Sequence, residues 1–193
     1  MLRRRRMVRH YRPEPVPAET VDRIVDAGRR SPTAGFTQGV SFLVLDRPDD
    51  VAGFWSAAGD DREPDAWLAG MRTAPVLILV WTSERAYLDR YAEPDKGWTD
   101  RDPDRWAAPY WWVDAGMAAQ TILLAAVDAR LGGCFFGIPP EHQAAVRARF
   151  GVPEDQLSAG VISLGRPASA GVPGSPSRRR RRAFADQVRR GHW

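Results

Sequence analysis

The chain has 193 residues, of which 44% are hydrophobic and 27% are charged. This length and balance fit one globular domain and exclude wholesale disorder. No apolar run reaches the roughly 18 residues that a membrane-spanning helix needs, and the longest run, residues 74–81, has the length of a strand. We therefore expect a cytoplasmic protein that does not enter a membrane.

The cysteine and histidine content gives little sign of a disulfide or a metal site. Cys134 is the single cysteine, and it lies in an apolar run, which favours a buried structural thiol. His10, His142 and His192 have no ligand-like spacing with one another or with Cys134. We therefore expect no bound metal.

The net charge is +4, and the basic residues are concentrated at the two ends of the chain. The two groups are Arg3, Arg4, Arg5, Arg6 and Arg9 at one end, and Arg178, Arg179, Arg180, Arg181, Arg182, Arg189 and Arg190 at the other. Such clusters favour an anionic partner, which could be a phosphate ligand, a nucleic acid or a membrane surface.

The first half of the chain predicts a helix, a loop and two strands. Val21, Ile24, Val25 and Gly28 recur at helical spacing and predict a helix over 17–30, with a proline in its first turn. Residues 31–39 are small, polar or proline and predict a loop, followed by a strand over 40–45. Residues 76–81 are apolar at every position, which predicts a strand in the centre of a sheet. The charged, aromatic stretch 84–109 is interpreted as a partly helical lid or flap.

The second half begins with a long helix over 110–131, which Gly132 and Gly133 are expected to end. The helix is apolar nearly all round, so we expect it to be buried on more than one side. It contains four small residues that would admit another helix, whose source could be another subunit: Ala115, Gly116, Ala118 and Ala119.

Shorter elements complete the chain. We predict a strand over 134–138, an amphipathic helix over 140–150 and a strand over 158–164. Residues 168–177 are rich in Gly, Pro and Ser, and therefore predict a linker that places the basic C-terminal segment on an arm.

Common signatures of catalysis are missing. The sequence has no G-x-G-x-x-G after a strand, no phosphate-binding G-x-x-x-x-G-K-[ST] and no G-x-S-x-G nucleophile turn. We name no side chain as a catalytic acid, base or nucleophile. This pattern favours either an enzyme whose cofactor supplies the chemistry or a binding module.

Three segments are candidates for a binding site, and each also has an ordinary structural interpretation. Residues 5–11 contain three arginines that could converge on one phosphate, or they could be a solvated basic terminus. Residues 31–39 could let backbone amides approach a flat ring, or could be a plain connecting loop. Residues 132–139 could meet a ligand through their backbone, or could be a core strand between two turns.

The order of these segments resembles the FMN-dependent nitroreductase family. The family pattern is R-R-S-x-R and then a P-S-x-x-N-x-Q-P-W loop, where this chain has Arg5 to Arg9 and the loop S-P-T-A-G-x-x-Q. Further matches in order are Asp114-Ala115-Gly116, Gly132-Gly133, Leu164-Gly165-Arg166-Pro167 and Arg182-Ala183-Phe184-Ala185. The resemblance covers almost the whole chain.

The resemblance implies an α+β fold with a mainly antiparallel central sheet flanked by helices, in an interlocked homodimer. Residues 1–193 would form one FMN-binding domain, and residues 168–193 would be an arm that reaches the partner subunit. The implied activity is electron transfer in two half-reactions, in which NADH or NADPH reduces FMN and a nitroaromatic, quinone or similar small acceptor then oxidises it.

The resemblance also implies which residues contact FMN. Those along the phosphate and ribityl chain would be Arg5, Arg6, Met7 and Arg9. Those lining the flavin or its approach would be Pro32, Thr33, Ala34, Gly35, Phe36 and Gln38. The backbone of Phe136 and Gly137 would meet the reactive edge of the flavin, and one or more of Arg180, Arg181 and Arg182 would reach the phosphate.

The chain departs from the family pattern at three places. Met7 replaces the usual Ser, Phe36 replaces the usual Asn, and Gly39-Val40 replaces Pro-Trp. These differences affect the flavin contacts and the shape of the substrate site.

Two alternatives stay open. The same fold serves other tasks, such as reductive dehalogenation, flavin fragmentation or deazaflavin binding. A nucleic-acid-binding protein that uses both arginine clusters is less favoured, because no helix offers side chains suited to base edges.

Overall fold

A four-stranded antiparallel sheet forms the centre of the computed structural model, which describes residues 2–59, 64–168 and 179–193. The strands are β1 (Val40–Leu45), β2 (Val76–Thr82), β3 (Gly132–Phe136) and β4 (Leu157–Gly165), in the order β1-β2-β4-β3. All seven residues of β2 are buried, as the continuous apolar run predicts. The predicted α+β class with an antiparallel sheet is confirmed.

Helices cover both faces of this sheet. Helices α1 (Ala18–Arg29) and α5 (Tyr110–Asp128) pack with Val76, Ile78 and Val80 of β2. The alternate residues of β2 face α2 (Pro48–Ala57), α3 (Ala66–Met71) and α6 (Gln143–Phe150). The remaining helices are α4 (Glu84–Tyr91), which follows β2, and α7 (Phe184–Gln187) in the C-terminal segment. Within the described ranges, no helix is both long enough and apolar enough to cross a membrane.

The small residues of α5 allow close packing within the same chain. A Cβ atom added to Gly28 of α1 would lie 2.5 Å from Cγ1 of Ile122 and 3.4 Å from the carbonyl oxygen of Ala118. Ala115, Ala118 and Ala119 are buried under this contact, whereas Gly116 is exposed. The helix that approaches these small residues is therefore α1 of the same protomer.

Three predicted boundaries near Gly132 are wrong: the end of the long helix and both ends of the strand that follows it. Helix α5 ends at Asp128, and Arg130 (φ 59°), not a glycine, takes the left-handed position after it. Gly132 and Gly133 instead open β3, which ends at Phe136. A Cβ atom on Gly132 would lie 2.5 Å from Cγ2 of Val8, so the glycine is needed for close packing of the N-terminal segment.

The N-terminal segment is attached to the open edge of β3. Met7 forms a parallel bridge with Gly133, and the backbone amide of Val8 donates to the Gly133 carbonyl at 3.0 Å. The buried Tyr11 hydroxyl donates to the Val8 carbonyl at 2.5 Å and lies 2.7 Å from Oγ of Ser163. These contacts fix the backbone that carries the predicted arginine cluster.

Candidate functional site

The N-terminal arginine cluster contains a buried polar group without a partner. Arg5 is half-buried, and its Nη1 atom is buried with no hydrogen-bond partner. Within the described part of the chain, neither Arg5, Arg6 nor Arg9 forms an ion pair with a carboxylate. A buried, unpaired guanidinium nitrogen is costly, so this position fits an anionic group that none of the described residues supplies.

The end of β3 offers an exposed backbone surface on the strand whose start pairs with the N-terminal segment. Gly137 is exposed, and an added Cβ atom there would meet nothing within 4 Å. The neighbouring Phe136 ring turns away into an aromatic cluster, where it stacks on Trp55 with ring centroids 5.6 Å apart and an interplanar angle of 5°. Since Met7 pairs with Gly133, Gly137 lies roughly 13 Å further along the strand direction.

The loop 31–39 has an unusual backbone. Gly35 (φ 61°), Phe36 (φ 56°) and Gln38 (φ 55°) all occupy the left-handed region, which is uncommon for residues other than glycine and strained for a bulky one such as Phe. The Phe36 side chain is 76% exposed at the tip of this loop. A large apolar group is therefore held out toward solvent at a backbone cost.

Contacts with α4 and α5 hold this loop in place. The Ala34 amide donates to Oδ2 of Asp114 at 2.8 Å, and Nε of Arg90 donates to the Gly35 carbonyl at 3.0 Å. The Tyr87 hydroxyl also donates to Oδ2 of Asp114, at 2.7 Å. Burial, followed by this hydrogen bond, raises the pKa of the Tyr87 phenol, so it stays protonated and remains a donor at neutral pH.

The segment after α4 forms an aromatic cluster centred on Trp106. Its ring centroid lies 4.3 Å from that of Tyr91, 5.5 Å from that of Trp98 and 5.7 Å from that of Tyr110. The 84–109 stretch contains α4 and a short 3₁₀ turn at Pro103–Arg105, so the expectation of partly helical structure is confirmed. Its role as a lid stays a prediction.

The three predicted segments do not meet in one protomer. Residues 5–9 and Gly137 lie along β3, whereas loop 31–39 leads into β1 at the opposite edge of the sheet. Three strand spacings separate these edges, which is about 14 Å. Within one chain, the structure therefore places the first and third segments along the same strand and the second segment at the opposite edge of the sheet.

The predicted C-terminal phosphate contacts form no described hydrogen bond or ion pair with this site. Arg180, Arg181 and Arg182 are exposed, and Nη2 of Arg182 donates to the carbonyl of Asp186 in the same segment. No described hydrogen bond or ion pair joins residues 179–193 to the rest of the described chain. Most of the predicted linker, residues 169–177, lies outside the described residues, so its form is not tested.

Cys134 is buried, which confirms the structural interpretation of this thiol. Burial raises the pKa of its thiol and so disfavours the reactive thiolate.

The sequence alone does not identify the residues that support loop 31–39. Asp114 stands out only as part of the Asp114-Ala115-Gly116 motif, and Tyr87 and Arg90 do not stand out. One signal was available for Asp114, because a carboxylate inside an apolar helix normally has buried partners. No comparable signal marks Tyr87 or Arg90 as its neighbours.

An antiparallel sheet covered by helices on both faces, with an arginine cluster fixed at one edge, defines an α+β protein equipped for an anionic ligand. The model of the nitroreductase family matches residues 2–166. The chain therefore belongs to the nitroreductase family.

Individual relatives agree with this assignment. A protein of Methanothermobacter thermautotrophicus, provisionally named NADH dehydrogenase/NAD(P)H nitroreductase, is 28% identical over 171 residues, which cover 86% of this chain and 75% of the relative. A solved structure of a provisionally named nitroreductase from Desulfovibrio desulfuricans, in complex with FMN, is 25% identical, with a TM-score of 0.70 and coverage of 100% and 95%. An FMN-dependent nitroreductase structure from Clostridium difficile has a TM-score of 0.72 at 19% identity, covering 100% of this chain and 98% of that one, and so supports the fold.

Proposed function

We propose that this protein is an FMN-dependent oxidoreductase that transfers electrons from NADH or NADPH to a small planar acceptor such as a nitroaromatic or a quinone. The observation that carries the proposal is the buried, unpaired Nη1 of Arg5, on the segment that pairs with the start of β3. Family membership and the FMN complex of the relative from Desulfovibrio desulfuricans support the same ligand.

The residues along β3 suit the two ends of FMN. Arg5, Arg6 and Arg9 would bind the phosphate, because guanidinium groups stay charged and bind oxyanions through paired hydrogen bonds. The exposed Gly137 backbone would meet the ring without steric interference. Bound FMN supplies a ring that a nicotinamide can reduce and an acceptor can oxidise. The chain's own contribution is binding, orientation and exclusion of water, so no side chain needs to act as an acid or a base.

A homodimer would bring the separated segments together. Loop 31–39 leads into β1, which is three strand spacings, or about 14 Å, from β3 at the other edge of the sheet. One FMN could contact both segments if a second copy supplied the loop. The outer face of α5 is suited to pairing two copies, because Trp112, Val113 and Met117 are 40%, 44% and 37% exposed there. The C-terminal arm, with the exposed Phe184, would add to the same interface.

The absorption spectrum of the purified protein tests the proposal directly. We expect a yellow protein that releases FMN, not FAD, on heating. Colourless protein that gains no flavin absorbance with added FMN would overturn the proposal. If such protein instead bound DNA with a steep salt dependence, the nucleic-acid alternative would replace it.

A pair of arginine variants tests the proposed phosphate site. Arg5→Met should weaken FMN binding by about tenfold to a hundredfold, the loss expected for one or two charge-assisted hydrogen bonds. The matched control is Arg12→Met, since Arg12 is exposed and, among the described residues, its one hydrogen bond runs from its backbone amide to the Arg166 carbonyl. Equal FMN affinity in both variants would contradict the assignment of Arg5.

A further inference from the structure

Asp114 is the one charged side chain that is fully buried in the described part of the chain, with 1% of its surface exposed. A buried carboxylate requires hydrogen-bond donors. It has two, and both meet the same oxygen, Oδ2: the Ala34 amide at 2.8 Å and the Tyr87 hydroxyl at 2.7 Å. One donor comes from loop 31–39 and the other comes from α4, so this carboxylate joins two segments of the chain to α5.

The loop needs this support because its conformation is strained. Left-handed backbone at Phe36 and Gln38 persists only where surrounding contacts fix it. Inside the loop, Oγ1 of Thr37 donates to the Ala34 carbonyl at 2.5 Å, and the Gln38 amide donates to Oγ1 of Thr33 at 3.0 Å. These bonds close the turn on itself.

The two ends of the loop are attached by Ser31, whose hydroxyl donates to Oγ1 of Thr121 at 2.9 Å, and by Gly39, whose carbonyl accepts from the Ser83 amide at 3.1 Å. Between them, the described hydrogen bonds that attach the strained turn 33–38 to the body of the protein are those to Asp114 and Arg90.

Helix α4 contacts the same turn at two further points. Arg90 donates to the Gly35 carbonyl through Nε, and its other nitrogens are held by Asp95 at 2.7 and 2.8 Å. The Tyr91 ring lies against Gly35, where an added Cβ atom would come within 2.6 Å of Cε2. The loop and α4 are therefore packed as one unit, with the Asp114 carboxylate beneath them.

We infer that Asp114 is a positioning residue, which together with Tyr87 sets the direction in which Phe36 faces the acceptor. This inference rests on the proposed function, since it assigns Phe36 to the acceptor side of the FMN site. Asp114 acts through the Ala34 amide and does not touch the acceptor itself. Loss of the hydrogen bond between Tyr87 and Asp114 would loosen loop 31–39. The arginine cluster on β3 would stay unchanged, because no described contact connects the loop with that cluster.

Two tyrosine variants on the same helix separate this role from a general effect on folding. Tyr87→Phe removes the donor to Asp114, whereas the Tyr91 hydroxyl has no hydrogen bond among the described residues, so Tyr91→Phe removes a hydroxyl from the same helix without that loss. Each variant would be assayed as the FMN-loaded enzyme with a nitroaromatic and with a quinone. For Tyr87→Phe we expect KM for the acceptor to rise by about threefold to tenfold, the effect of one hydrogen bond, with kcat and FMN content within about twofold of wild type. Tyr91→Phe should leave KM for the acceptor, kcat and FMN content all close to their wild-type values.

Hydrogen exchange of residues 31–39 gives a second readout that does not need FMN. In Tyr87→Phe and Asp114→Ala we expect faster exchange at the Ala34 amide and its neighbours, with little change in β2 and β4. Asp114→Asn keeps an oxygen acceptor and should restore part of the protection. If Asp114→Ala fails to fold, the Asn and Phe variants still test the contact.

The outcomes separate failure of this inference from failure of the proposed function. If the loop exchanges faster but wild-type protein binds no FMN, the proposed function is wrong, and the assignment of Phe36 to an acceptor site falls with it. If wild type binds FMN but Tyr87→Phe matches Tyr91→Phe in both KM and loop exchange, the proposed function stands and the role of Asp114 is overturned.

Discussion

Phe36 occupies the left-handed region at φ 56° although its side chain is 76% exposed, so replacing it should change stability and substrate preference in separate ways. Asn tolerates this conformation far better than a bulky residue does, and it is also the residue that the family pattern has at this position. We therefore predict that Phe36→Asn stabilises the protein slightly while it changes which acceptors are reduced.

The expected size of the change follows from exposure and backbone strain. Full burial of a Phe side chain contributes about 1.5–3 kcal/mol, so the small buried fraction here contributes roughly 0.5 kcal/mol. Left-handed backbone costs a residue with a Cβ atom roughly 1–2 kcal/mol, of which Asn should recover about 1 kcal/mol. The net gain is about 0.5 kcal/mol, which corresponds to a Tm increase of about 1–2 °C for a chain of this length.

Phe36→Ala is the matched control for this prediction. Phe36→Ala removes the ring but keeps the energetic cost of left-handed backbone at a residue with a Cβ atom, so the Tm of this variant should fall by about 1–2 °C. Both variants should keep FMN, and both should lose preference for planar aromatic acceptors, because the apolar surface at the loop tip is removed. The measurements are thermal unfolding, flavin content and kcat/KM for a nitroaromatic and a quinone.

Two results would refute this reasoning. A Tm decrease of several degrees in Phe36→Asn would mean that the ring is buried by another surface. Unchanged acceptor rates together with loss of flavin would mean that Phe36 contacts the cofactor and does not select the substrate.

The remaining predictions concern the phosphate, the subunit interface and alkaline stability. Arg9→Ala and Arg182→Ala should each weaken FMN binding by about tenfold to a hundredfold, and the effect of both together should not be the sum of the two. Riboflavin, which lacks the phosphate, should bind wild type poorly, and neither substitution should change its affinity. Riboflavin binding as tightly as FMN would contradict this prediction. Light scattering should show a dimer for wild type, whereas Met117→Glu, on the outer face of α5, should shift the protein toward monomer. Ala148→Glu places the same charge at an exposed position of α6 and should leave the dimer intact. A flavin-loaded wild-type monomer at micromolar concentration would reject the interface. Burial raises the pKa of both Tyr11 and Tyr87 above the ordinary value near 10. Just above pH 10, these two phenols therefore ionise in the unfolded chain but not in the folded protein. The free energy of unfolding should therefore be insensitive to these groups below about pH 10 and should fall above it by about 1.4 kcal/mol per pH unit for each tyrosine. Tyr87→Phe should reduce the measured slope by about 1.4 kcal/mol per pH unit, the share of one tyrosine, and an unchanged slope in denaturant titrations would show that the phenol is not buried in solution.

Local patterns in the sequence were sufficient for the regular elements. The helical spacing of Val21, Ile24 and Gly28 marks α1 to within one residue at each end, and the boundaries of β1 are predicted without error. The run that contains Leu77 and Leu79 marks a central strand because it has the length of a strand, and a strand that is apolar at every position has to be covered on both faces. Helices α2 and α3 were not predicted, and α3 is a six-residue helix, too short to be stable without tertiary contacts.

Sequence order also carried the family assignment, since several weak motifs in the right succession are more specific than any one of them. It could not show that loop 31–39 and the arginine cluster lie at opposite edges of the sheet, because strand order depends on how the chain connects β1, β2, β4 and β3. Nor could it show that Arg130, and not a glycine, takes the left-handed position after α5.

The sequence by itself determined the helices and strands with clear periodicity, the buried state of Cys134 and the family to which the chain belongs. Only the tertiary structure decided what supports the loop at Phe36. The Asp114 carboxylate meets an amide 80 residues away and a hydroxyl 27 residues away, and neither separation leaves a local pattern. Periodicity reports which face of an element is buried, whereas the partners of a buried polar group are set by the path of the whole chain.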